Sequence, residues 1–378
     1  MGTRRPTFPP APPAAPRAAG RTATRWSPRP ASPRAANGAS PLRTPTRILV
    51  TGGAGFIGVH TVRHLVAEDV TVLVVDDRRH ECGEALPPAV ELEVADINSS
   101  AAAAAVVRFR PDAILHLAAQ GGVSRSVRDP VGDALVNVLG TVALLKASAD
   151  AECRRFVFAS SGGAIYGRAA RLPTPERTAP KPLAPYGAAK QAAEGYLGMF
   201  ARTFGMRTLA LRYSNVYGPF QDGTGEAGVV AITCERLLSG RAPQIRGDGH
   251  QTRDFVFVAD VADANVRALR ASVTGAINIG TGTATSVRTV VNELAAAAAY
   301  SGPIDFDEGR PGEVRDTALD TRRAQTLLGW RAPTPLRDGL SQTFTSFRER
   351  TRRATAPSNA GPAGAAATRG PAPRAGSG

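Results

Sequence analysis

Directly behind the apolar run Ile48-Leu49-Val50 lies the stretch Thr51-Gly52-Gly53-Ala54-Gly55-Phe56-Ile57-Gly58. Its glycines recur at three-residue intervals, where a predicted strand ends and a predicted helix begins. In such a turn Gly52 permits the tight reversal of the chain and Gly55 lets the backbone approach a pyrophosphate. Gly58 lets the helix pack closely on the strand. The free N–H groups at the start of the helix then face the phosphates. A glycine triplet alone also fits a bare tight turn, but this context favours dinucleotide binding.

A second apolar run ends in an acidic residue where a dinucleotide site needs one. Val70 to Val75 is followed by Asp76, eighteen residues after Gly58. A carboxylate here accepts from the adenosine ribose hydroxyls and repels a 2′-phosphate, so we expect NAD as cofactor. Arg78 and Arg79 follow directly and leave NADP open.

The chain alternates short apolar runs with helical stretches between residues 47 and 215. We predict strands at 48–51, 71–76, 90–94, 113–117, 155–160 and 208–213, and helices at 57–68, 100–109, 131–149 and 186–204. Near-continuous apolar strands in this rhythm predict an α/β fold, a Rossmann-like doubly wound parallel sheet covered on both faces.

Beyond residue 216 the rhythm breaks into Gly- and Pro-rich loops. Helices are predicted near 226–239, 260–271, 286–299 and 321–328. We therefore predict an NAD-binding domain over 47–215 and a smaller C-terminal substrate-binding α/β domain, mainly 216–345, with some segments returning to the sheet. The second domain is expected to close over the carboxyl ends of the strands.

The positive charge lies at the two ends of the chain. The net charge of +14 over 378 residues comes from nine Arg and no acid in 1–47, and from six Arg and one Glu in 348–378, so 48–347 is neutral. Both ends are rich in Pro, Ala, Gly and Arg, so we predict disordered tails over 1–46 and 346–378. We expect no specific nucleic-acid partner. A basic tail that touches RNA or anionic lipid, and a start codon assigned too far upstream, stay open.

Other classes of protein have no clear signal in the sequence. No apolar stretch follows Arg4-Arg5 and no 18-residue apolar span is evident, so we expect neither a secretory signal nor a membrane partner. Cys82, Cys153 and Cys234 are widely spaced and no His cluster accompanies them. We expect reduced thiols, no metal site and a cytoplasmic location.

The hexapeptide Pro185-Tyr186-Gly187-Ala188-Ala189-Lys190 places a phenol and an ammonium on one face of a predicted helix. A tyrosine with a pKa of about 10 is a poor base at neutral pH. The charges of Lys190 and of an oxidised nicotinamide would favour the phenolate, and Lys190 can also bind the cofactor ribose. Such a pair alone is usually an exposed helical pair, but the glycine turn favours a catalytic one.

A serine-rich strand end precedes this pair. A hydroxyl at the end of Phe158-Ala159-Ser160-Ser161 can share a proton with the substrate hydroxyl and the tyrosine, whereas the alternative is a loop serine that caps backbone groups.

Together the motifs resemble the extended short-chain dehydrogenase/reductase family, in its nucleotide-sugar epimerase and dehydratase group, and are most similar to the UDP-glucose 4-epimerases. The resemblance covers about residues 46–345. It rests on Thr51 to Gly58, Asp96-Ile97, His116 to Gln120, Asn137 ahead of Gly140-Thr141, Ser160-Ser161 ahead of Tyr166-Gly167, Tyr186 with Lys190, Leu211 to Pro219, and Arg253 to Val256.

The resemblance implies a role for each matched position. Catalytic residues would be Tyr186, Lys190 and Ser161. NAD would contact Gly52, Gly55, Phe56, Ile57, Gly58, Asp76, Asp96, Ile97, Leu117, Ala118, Ala119, Asn137, Tyr186, Lys190 and Tyr213. Substrate would contact Ser161, Asn215, Arg253 and Arg310. The guanidiniums of the two arginines also suit a diphosphate. A homodimer through paired helices that include 186–204 is implied as well.

Members of this group share one opening step, in which the tyrosine takes the proton of the sugar 4-hydroxyl while hydride passes to NAD. Related dehydratases place an Asp-Glu pair just after the strand-end Ser or Thr, whereas this chain has Gly162-Gly163-Ala164. The resemblance therefore implies a 4-epimerase of nucleotide sugars, with UDP-glucose and UDP-galactose as substrates. Another dehydratase or reductase of the group, and a non-catalytic NAD-binding regulator, are the alternatives.

Two details depart from the pattern or extend it. The catalytic Ser or Thr of many relatives lies four residues before the tyrosine matched by Tyr166, where this chain has Gly162. We expect a one-residue bulge in the Gly-Gly segment to bring Ser161 to the site, with Ser160 left open. Thr317 matches the position that gates the sugar pocket, and its small side chain suggests that N-acetylated sugars are accepted.

Overall fold

Seven strands form one parallel sheet in the computed structural model, which describes residues 44–79, 86–223, 228–309 and 314–355. In chain order its first six strands are β1 Arg47–Thr51, β2 Thr71–Asp76, β3 Glu91–Val94, β4 Ala113–His116, β5 Arg155–Ser161 and β6 Arg207–Tyr213. Short strands follow: β7 Asn215–Tyr217, β8 Gln244–Arg246, β9 Thr252–Arg253, β10 Phe255–Phe257, β11 Gly275–Ile279, β12 Thr285–Ser286 and β13 Asp305–Asp307. The sheet order is β11-β6-β5-β4-β1-β2-β3.

Helices connect these strands. They are α1 Phe56–Ala67, α2 Ser100–Phe109, α3 Val123–Arg128, α4 Pro130–Ala134, a π-helical turn Leu135–Gly140, α5 Thr141–Asp150, α6 Gly162–Ile165, α7 Pro185–Phe204, α8 Val229–Leu238, α9 Val258–Arg270, α10 Val287–Ala297, α11 Arg322–Leu328 and α12 Leu336–Thr355.

The strands are buried on both faces, which explains their continuous apolar sequences. Ile48 and Val50 of β1 point into a core beneath α1 and α9, whereas Leu49 between them points into a second core beneath α2, α5 and α7. Period-two alternation along each strand thus builds two separate helix–sheet layers. The predicted doubly wound α/β fold is confirmed.

The seventh strand, β11, was not among the predicted strands. It follows α9 and pairs in parallel with β6, from Gly275 against Leu209 to Ile279 against Tyr213. The other late strands form three two-stranded pairs: β7 with β10, β8 with β13, and β9 with β12. The division into two domains near residue 215 stays a prediction.

The predicted helix at 131–149 is a composite of α4, the π-helical turn and α5. This segment, Pro130–Asp150, is long and apolar enough to cross a membrane by length and composition alone, contrary to the expectation of no such span. Almost half of it is buried within the protein, and Leu144 and Leu145 of α5 lie in the core beneath α2 and α7. Those contacts are the ones that a core helix makes.

The prediction of a disordered tail from residue 346 is wrong for its first ten residues, because α12 continues to Thr355. Leu340, Phe344 and Phe347 recur at helical spacing and are buried in a core shared with α8 and α10. The Arg-rich composition hid this apolar stripe. The predicted tail segments 1–43 and 356–378 lie outside the described residues.

Candidate active site

The glycine turn is held against the loop after β4. Gly52 has a φ of +68°, and a Cβ there would meet the backbone nitrogen of Ala118 at 2.6 Å. A Cβ at Gly58 would collide with the carbonyl oxygen of Gly52. At Gly55 a Cβ would meet only that same oxygen, at 3.4 Å. Gly52 and Gly58 are therefore required by the fold, while Gly55 leaves the open face that a pyrophosphate needs.

Asp76 ends β2 beside this turn. One carboxylate oxygen accepts from the backbone N–H of Ala54 at 3.0 Å and the other from that of Arg78 at 2.8 Å. The predicted ribose-binding carboxylate is therefore fixed at the glycine turn. Arg79 pairs with both Asp77 and Asp96 at 3.1 Å, so its guanidinium is already neutralised. This pairing favours NAD over a cofactor that carries a 2′-phosphate.

The predicted adenine-side residues follow β3. Asp96 is half-buried, and its second oxygen accepts from the backbone N–H of Asn98 at 2.9 Å. Ile97 is buried and packs against Gly140. Phe56 and Ile57 begin α1, where the Phe56 ring lies edge-on to His60 and Ile57 packs on the core.

The loop after β4 is hydrogen-bonded to the end of β1. Leu117 and Ala118 donate backbone N–H groups to the carbonyl of Thr51, at 3.0 and 3.1 Å. The Thr51 hydroxyl bonds to buried His116 at 2.6 Å. Burial and the charge of Lys190 lower the pKa of His116 to about 3, so this ring is neutral. Ala118 and Ala119 are thereby held along the predicted cofactor path.

Asn137 was predicted to contact NAD, but its amide is occupied by protein. Its oxygen accepts from the backbone N–H of Gln120 at 3.1 Å, and its nitrogen donates to the Gln120 carbonyl at 3.0 Å and to Asp133 at 2.9 Å. Asn137 lies in the π-helical turn and holds the end of the loop after β4. The side chain therefore positions the loop after β4, and its predicted contact with NAD stays a prediction.

The structure brings the predicted catalytic side chains together. Tyr186 is half-buried, and Ser161 lies close enough to lower the pKa of its hydroxyl against the effect of burial. The Lys190 ammonium lies 5.6 Å from the centre of the Tyr186 ring and 4.6 Å from that of Phe158. Burial raises the pKa of Tyr186 to about 12 and lowers that of Lys190 to about 8. A proton acceptor at Tyr186 therefore needs further positive charge nearby.

Strand alternation separates the two serines that the sequence left open. Ser160 points to the opposite face and donates to Glu194 at 2.6 Å. Ser161 ends a regular β5, where it pairs with Tyr213 in β6, and α6 begins at the next residue. The expected bulge in the Gly-Gly segment is wrong, because a helical turn over 162–165 already sets the spacing to Tyr166.

Tyr213 was predicted to contact NAD, but its hydroxyl donates to Asn265 of α9 at 2.6 Å in the core. Asn265 in turn donates to Thr61 of α1 at 3.1 Å. The Tyr213 hydroxyl thus joins β6 to two helices, and its predicted contact with NAD stays a prediction.

A serine that sequence reasoning missed caps the catalytic helix. The N-cap residue of α7, Ala184, has no side-chain acceptor. Instead, the buried Ser126 hydroxyl of α3 accepts from the backbone N–H of Tyr186 at 3.1 Å and donates to the Val123 carbonyl at 2.7 Å. Nothing in local spacing could reveal this cap, because the partner lies 60 residues away.

Two of the predicted substrate residues, Asn215 and Arg253, line a cavity of about 290 Å³. Asn215 is exposed at the start of β7, and its oxygen lies 3.8 Å from the position of a Cβ at Gly163. Arg253 in β9 donates to the carbonyls of Thr252 and Arg315, at 2.8 and 2.9 Å. A second cavity, of about 310 Å³, shares Arg246 with the first.

Asp254 fixes the strand that carries Arg253. It is buried, and its carboxylate accepts from the N–H groups of Thr281, Gly282 and Leu319, at 2.8 to 3.1 Å. Arg310, the second predicted diphosphate ligand, lies outside the described residues. Thr317 is half-buried and donates its N–H to the carbonyl of Thr252 at 3.2 Å. Its hydroxyl is buried and has no hydrogen-bond partner among the described residues.

This arrangement can oxidise a hydroxyl group of a substrate with bound NAD while the tyrosine takes the proton. The described residues contain no group of three or more His, Cys, Asp or Glu side chains that could hold a metal ion. The site thus has the parts of an NAD-dependent enzyme of the Tyr–Lys type.

Comparison with known proteins identifies the family. A model of the NAD dependent epimerase/dehydratase family matches residues 48–280. A UDP-glucose 4-epimerase of Mycolicibacterium smegmatis is 43% identical over 310 residues, which are 80% of this chain and 99% of the relative. The chain belongs to the NAD dependent epimerase/dehydratase family.

Two solved structures are similar over the same region. A UDP-glucose 4-epimerase of Thermotoga maritima, determined with UDP-glucose, is 41% identical with a TM-score of 0.79 and covers 81% of this chain and 99% of its own. A UDP-glucose 4-epimerase of Thermus thermophilus, determined with NAD, is 39% identical with a TM-score of 0.75 and covers 80% and 99%.

Two alanine variants in the glycine turn separate cofactor binding from stability. We expect Gly55→Ala to keep its thermal stability but to lose about tenfold or more of its NAD affinity, because the added methyl enters only the open face. Gly52→Ala should lower the melting temperature, since its Cβ meets the backbone of Ala118. Cofactor retained after gel filtration and thermal melts measure the two effects. Equal loss of stability in both variants would contradict this assignment.

Proposed function

We propose that this protein is an NAD-dependent UDP-glucose 4-epimerase that interconverts UDP-glucose and UDP-galactose through a transient 4-keto sugar. The observation that carries the proposal is the Lys190 ammonium 5.6 Å from the centre of the Tyr186 ring, with Ser161 at the adjacent end of β5 acting on the pKa of Tyr186. Asn215 and Arg253 line a cavity that suits a substrate. Relatives with 39–43% identity over four-fifths of the chain are named for this activity.

Each side chain has a defined task in this reaction. Tyr186 takes the proton of the sugar 4-hydroxyl and returns it after the ring has turned over, while Ser161 shares that proton through its hydroxyl. Lys190 stabilises the phenolate form of Tyr186. Arg253 pairs with the diphosphate. The glycine turn and Asp76 would hold NAD, which would supply the acceptor and donor of the C4 hydride.

The turn after β5 supports epimerisation over dehydration. Elimination of the 6-hydroxyl needs an acid and a base near C5 and C6, but residues 162–164 are Gly-Gly-Ala. Gly162 is packed so tightly that a Cβ would meet Leu319 at 2.5 Å, whereas Gly163 has open space toward Ser161 and Asn215. The segment thus offers room to a sugar and no carboxylate. A non-catalytic regulator would not need the Tyr186–Lys190 pair.

A cytoplasmic location is part of the proposal. Cys153 and Cys234 are free and buried. Burial raises the pKa of each thiol to about 12, so both are unreactive in the fold. Reduced thiols of this kind fit a reducing compartment.

Removal of the tyrosine hydroxyl tests the reaction. We expect the wild-type protein to convert UDP-galactose to UDP-glucose without added cofactor, and Tyr186→Phe to lower kcat by about a hundredfold to ten-thousandfold because the proton acceptor is lost. Product chromatography measures the conversion, and retained NAD absorbance shows that the variant keeps its cofactor. Undiminished conversion in Tyr186→Phe would contradict the assigned base.

We further propose that N-acetylated UDP-sugars are accepted. The backbone of Thr317 lies next to β9, because its N–H donates to the carbonyl of Thr252 in that strand. A threonine leaves more space there than an aromatic side chain. We expect Thr317→Tyr to lower kcat/KM for UDP-N-acetylgalactosamine about tenfold or more relative to UDP-galactose, because the ring fills the space for the acetamido group. Parallel progress curves on both sugars measure the ratio. An unchanged ratio would rule the proposal out.

A homodimer is proposed through the outer face of α3, α4, the π-helical turn and α7. Val127, Val131, Leu135 and Leu139 recur every four residues and are 48–69% exposed, and Tyr196 of α7 is 40% exposed. A row of apolar side chains this exposed is typical of an interface.

Light scattering tests the dimer. We expect the wild-type protein at twice the chain mass of 39.3 kDa, and Leu135→Asp as a monomer because the charge would be buried in the interface. Val107→Asp, also at an exposed valine but on α2, should stay dimeric. A monomeric wild type, or equal dissociation in both variants, would contradict this interface.

A further inference from the structure

One arginine that pairs with the catalytic helix has no task in the reaction described above, although it is almost completely buried. Arg212 lies near the end of β6 and is 6% exposed. Its Nε and one terminal nitrogen donate to the two carboxylate oxygens of Glu194 in α7, at 2.9 and 2.6 Å. Its other terminal nitrogen donates to the hydroxyl of Tyr166 at 2.8 Å. The guanidinium therefore binds two separate segments at once.

The first of these contacts acts on the helix that carries the catalytic pair. Tyr186, Lys190 and Glu194 are four residues apart, so they lie along one face of α7. Glu194 also accepts from the hydroxyl of Ser160 in β5 at 2.6 Å. Rotation of α7 about its axis would break the hydrogen bonds of this carboxylate. The face that carries Tyr186 is therefore fixed toward β5 and β6.

The second contact acts on the segment after the strand-end serine. Tyr166 follows α6 directly and is 3% exposed. Burial raises the pKa of its phenol, so the hydroxyl keeps the proton that it donates to the amide oxygen of Asn278 at 2.8 Å. The amide nitrogen of Asn278, in β11, donates to the carbonyls of Thr174 and Asp320, at 2.9 and 3.2 Å. Tyr166 is therefore held between β6 and β11.

Ser161 lies between the two points at which Arg212 acts. Ser160 precedes it and is opposite Arg212 in the pairing of β5 with β6. Tyr166 directly follows the short helix α6 that begins after Ser161. As the N-cap residue of α6, Ser161 makes no side-chain hydrogen bond to the backbone of that helix. The placement of its hydroxyl therefore depends on what holds the two ends of the segment.

We propose that Arg212 is a positioning residue that holds the strand end with Ser161 and the helix with Tyr186 in place relative to each other. It acts through Glu194 on one side and through Tyr166 on the other. An arginine suits this task because its planar fork pairs with a carboxylate and still donates from its remaining nitrogen, whereas the single nitrogen of a lysine cannot span both partners. The clamp stands on these contacts, whereas its effect on turnover rests on the proposed epimerase function.

Hydrogen exchange measured by mass spectrometry tests the clamp without any substrate. The full-length protein as purified is compared with Arg212→Lys and with the milder Tyr166→Phe, which removes a single hydroxyl. We expect Arg212→Lys to speed exchange about tenfold or more over residues 162–166 and 185–194, because both segments lose a buried hydrogen bond. Tyr166→Phe should speed it over 162–166 alone. Unchanged exchange over 162–166 in both variants would overturn the proposal, and if Arg212→Lys does not fold, the result of Tyr166→Phe decides.

A second buried arginine provides a matched control. Arg155 begins β5, at the end of the strand opposite Ser161, and is 2% exposed. Its guanidinium donates to the backbone carbonyls of Ala268 and Val273, at 2.5 to 3.1 Å. Arg155→Lys should therefore speed exchange around 268–273 and leave the segments of the clamp unchanged. Equal acceleration of 162–166 by Arg155→Lys would contradict a specific role of Arg212.

Coupling to the serine hydroxyl is the second readout, because a merely structural role would not depend on that hydroxyl. We expect Tyr166→Phe to lower kcat for UDP-galactose about tenfold or more with little change in KM, since Ser161 is misplaced. In a Ser161→Ala background the same substitution should have little further effect, because the group that it misplaces is already absent. An equal loss of kcat in both backgrounds would overturn the action through Ser161.

The two readouts separate the clamp from the proposed reaction. A wild-type protein without epimerase activity would refute the proposed function and leave the exchange result valid. Faster exchange over 162–166 with an undiminished kcat in Tyr166→Phe would overturn the link from Arg212 to turnover.

Discussion

All functional groups of this molecule depend on one constraint, the common direction of the strands in its parallel sheet. Because every strand of the sheet runs the same way, the carboxyl ends of β1, β2, β4, β5 and β6 share one edge. The glycine turn, Asp76, the loop after β4 and Ser161 therefore meet there without any local sequence relation. Gly52 is a tight contact of this edge, because it admits the backbone of Ala118 where no Cβ would fit.

Features that depend on residues close together in the chain could be predicted from the sequence. Continuous apolar strands, the glycine spacing and the Tyr186–Lys190 interval each depend on residues within one turn or one strand, and the structure has them. Features that depend on partners distant in the chain could not be predicted. The Ser126 cap on α7 and the Asn137 clamp on Gln120 join residues 17–60 positions apart. The α12 stripe was hidden by arginines on its exposed face.

The two neighbouring serines, Ser160 and Ser161, lie between predictable and unpredictable features. Their order in sequence left both Ser160 and Ser161 open, and the five-residue interval from Ser161 to Tyr166 suggested a bulge in the Gly-Gly segment. Strand alternation resolves the choice, since Ser160 joins the buried Glu194–Arg212 pair while Ser161 reaches Tyr186. The buried Glu194–Arg212 ion pair thereby fixes the middle of α7 against β6. Ser126 fixes the N-terminus of α7. The catalytic tyrosine is held by contacts on both sides of its helix.

The central claim is that hydride leaves and returns at the same carbon. The direct measurement is NMR of the product formed from UDP-galactose that carries deuterium at C4 of the sugar. The account predicts UDP-glucose with the deuterium still at C4 and no label in water, because NAD would hold the hydride within the site and residues 162–164 carry no acid or base for elimination. Deuterium at C6 would reveal a dehydratase, and loss of the label to solvent would contradict hydride transfer at C4.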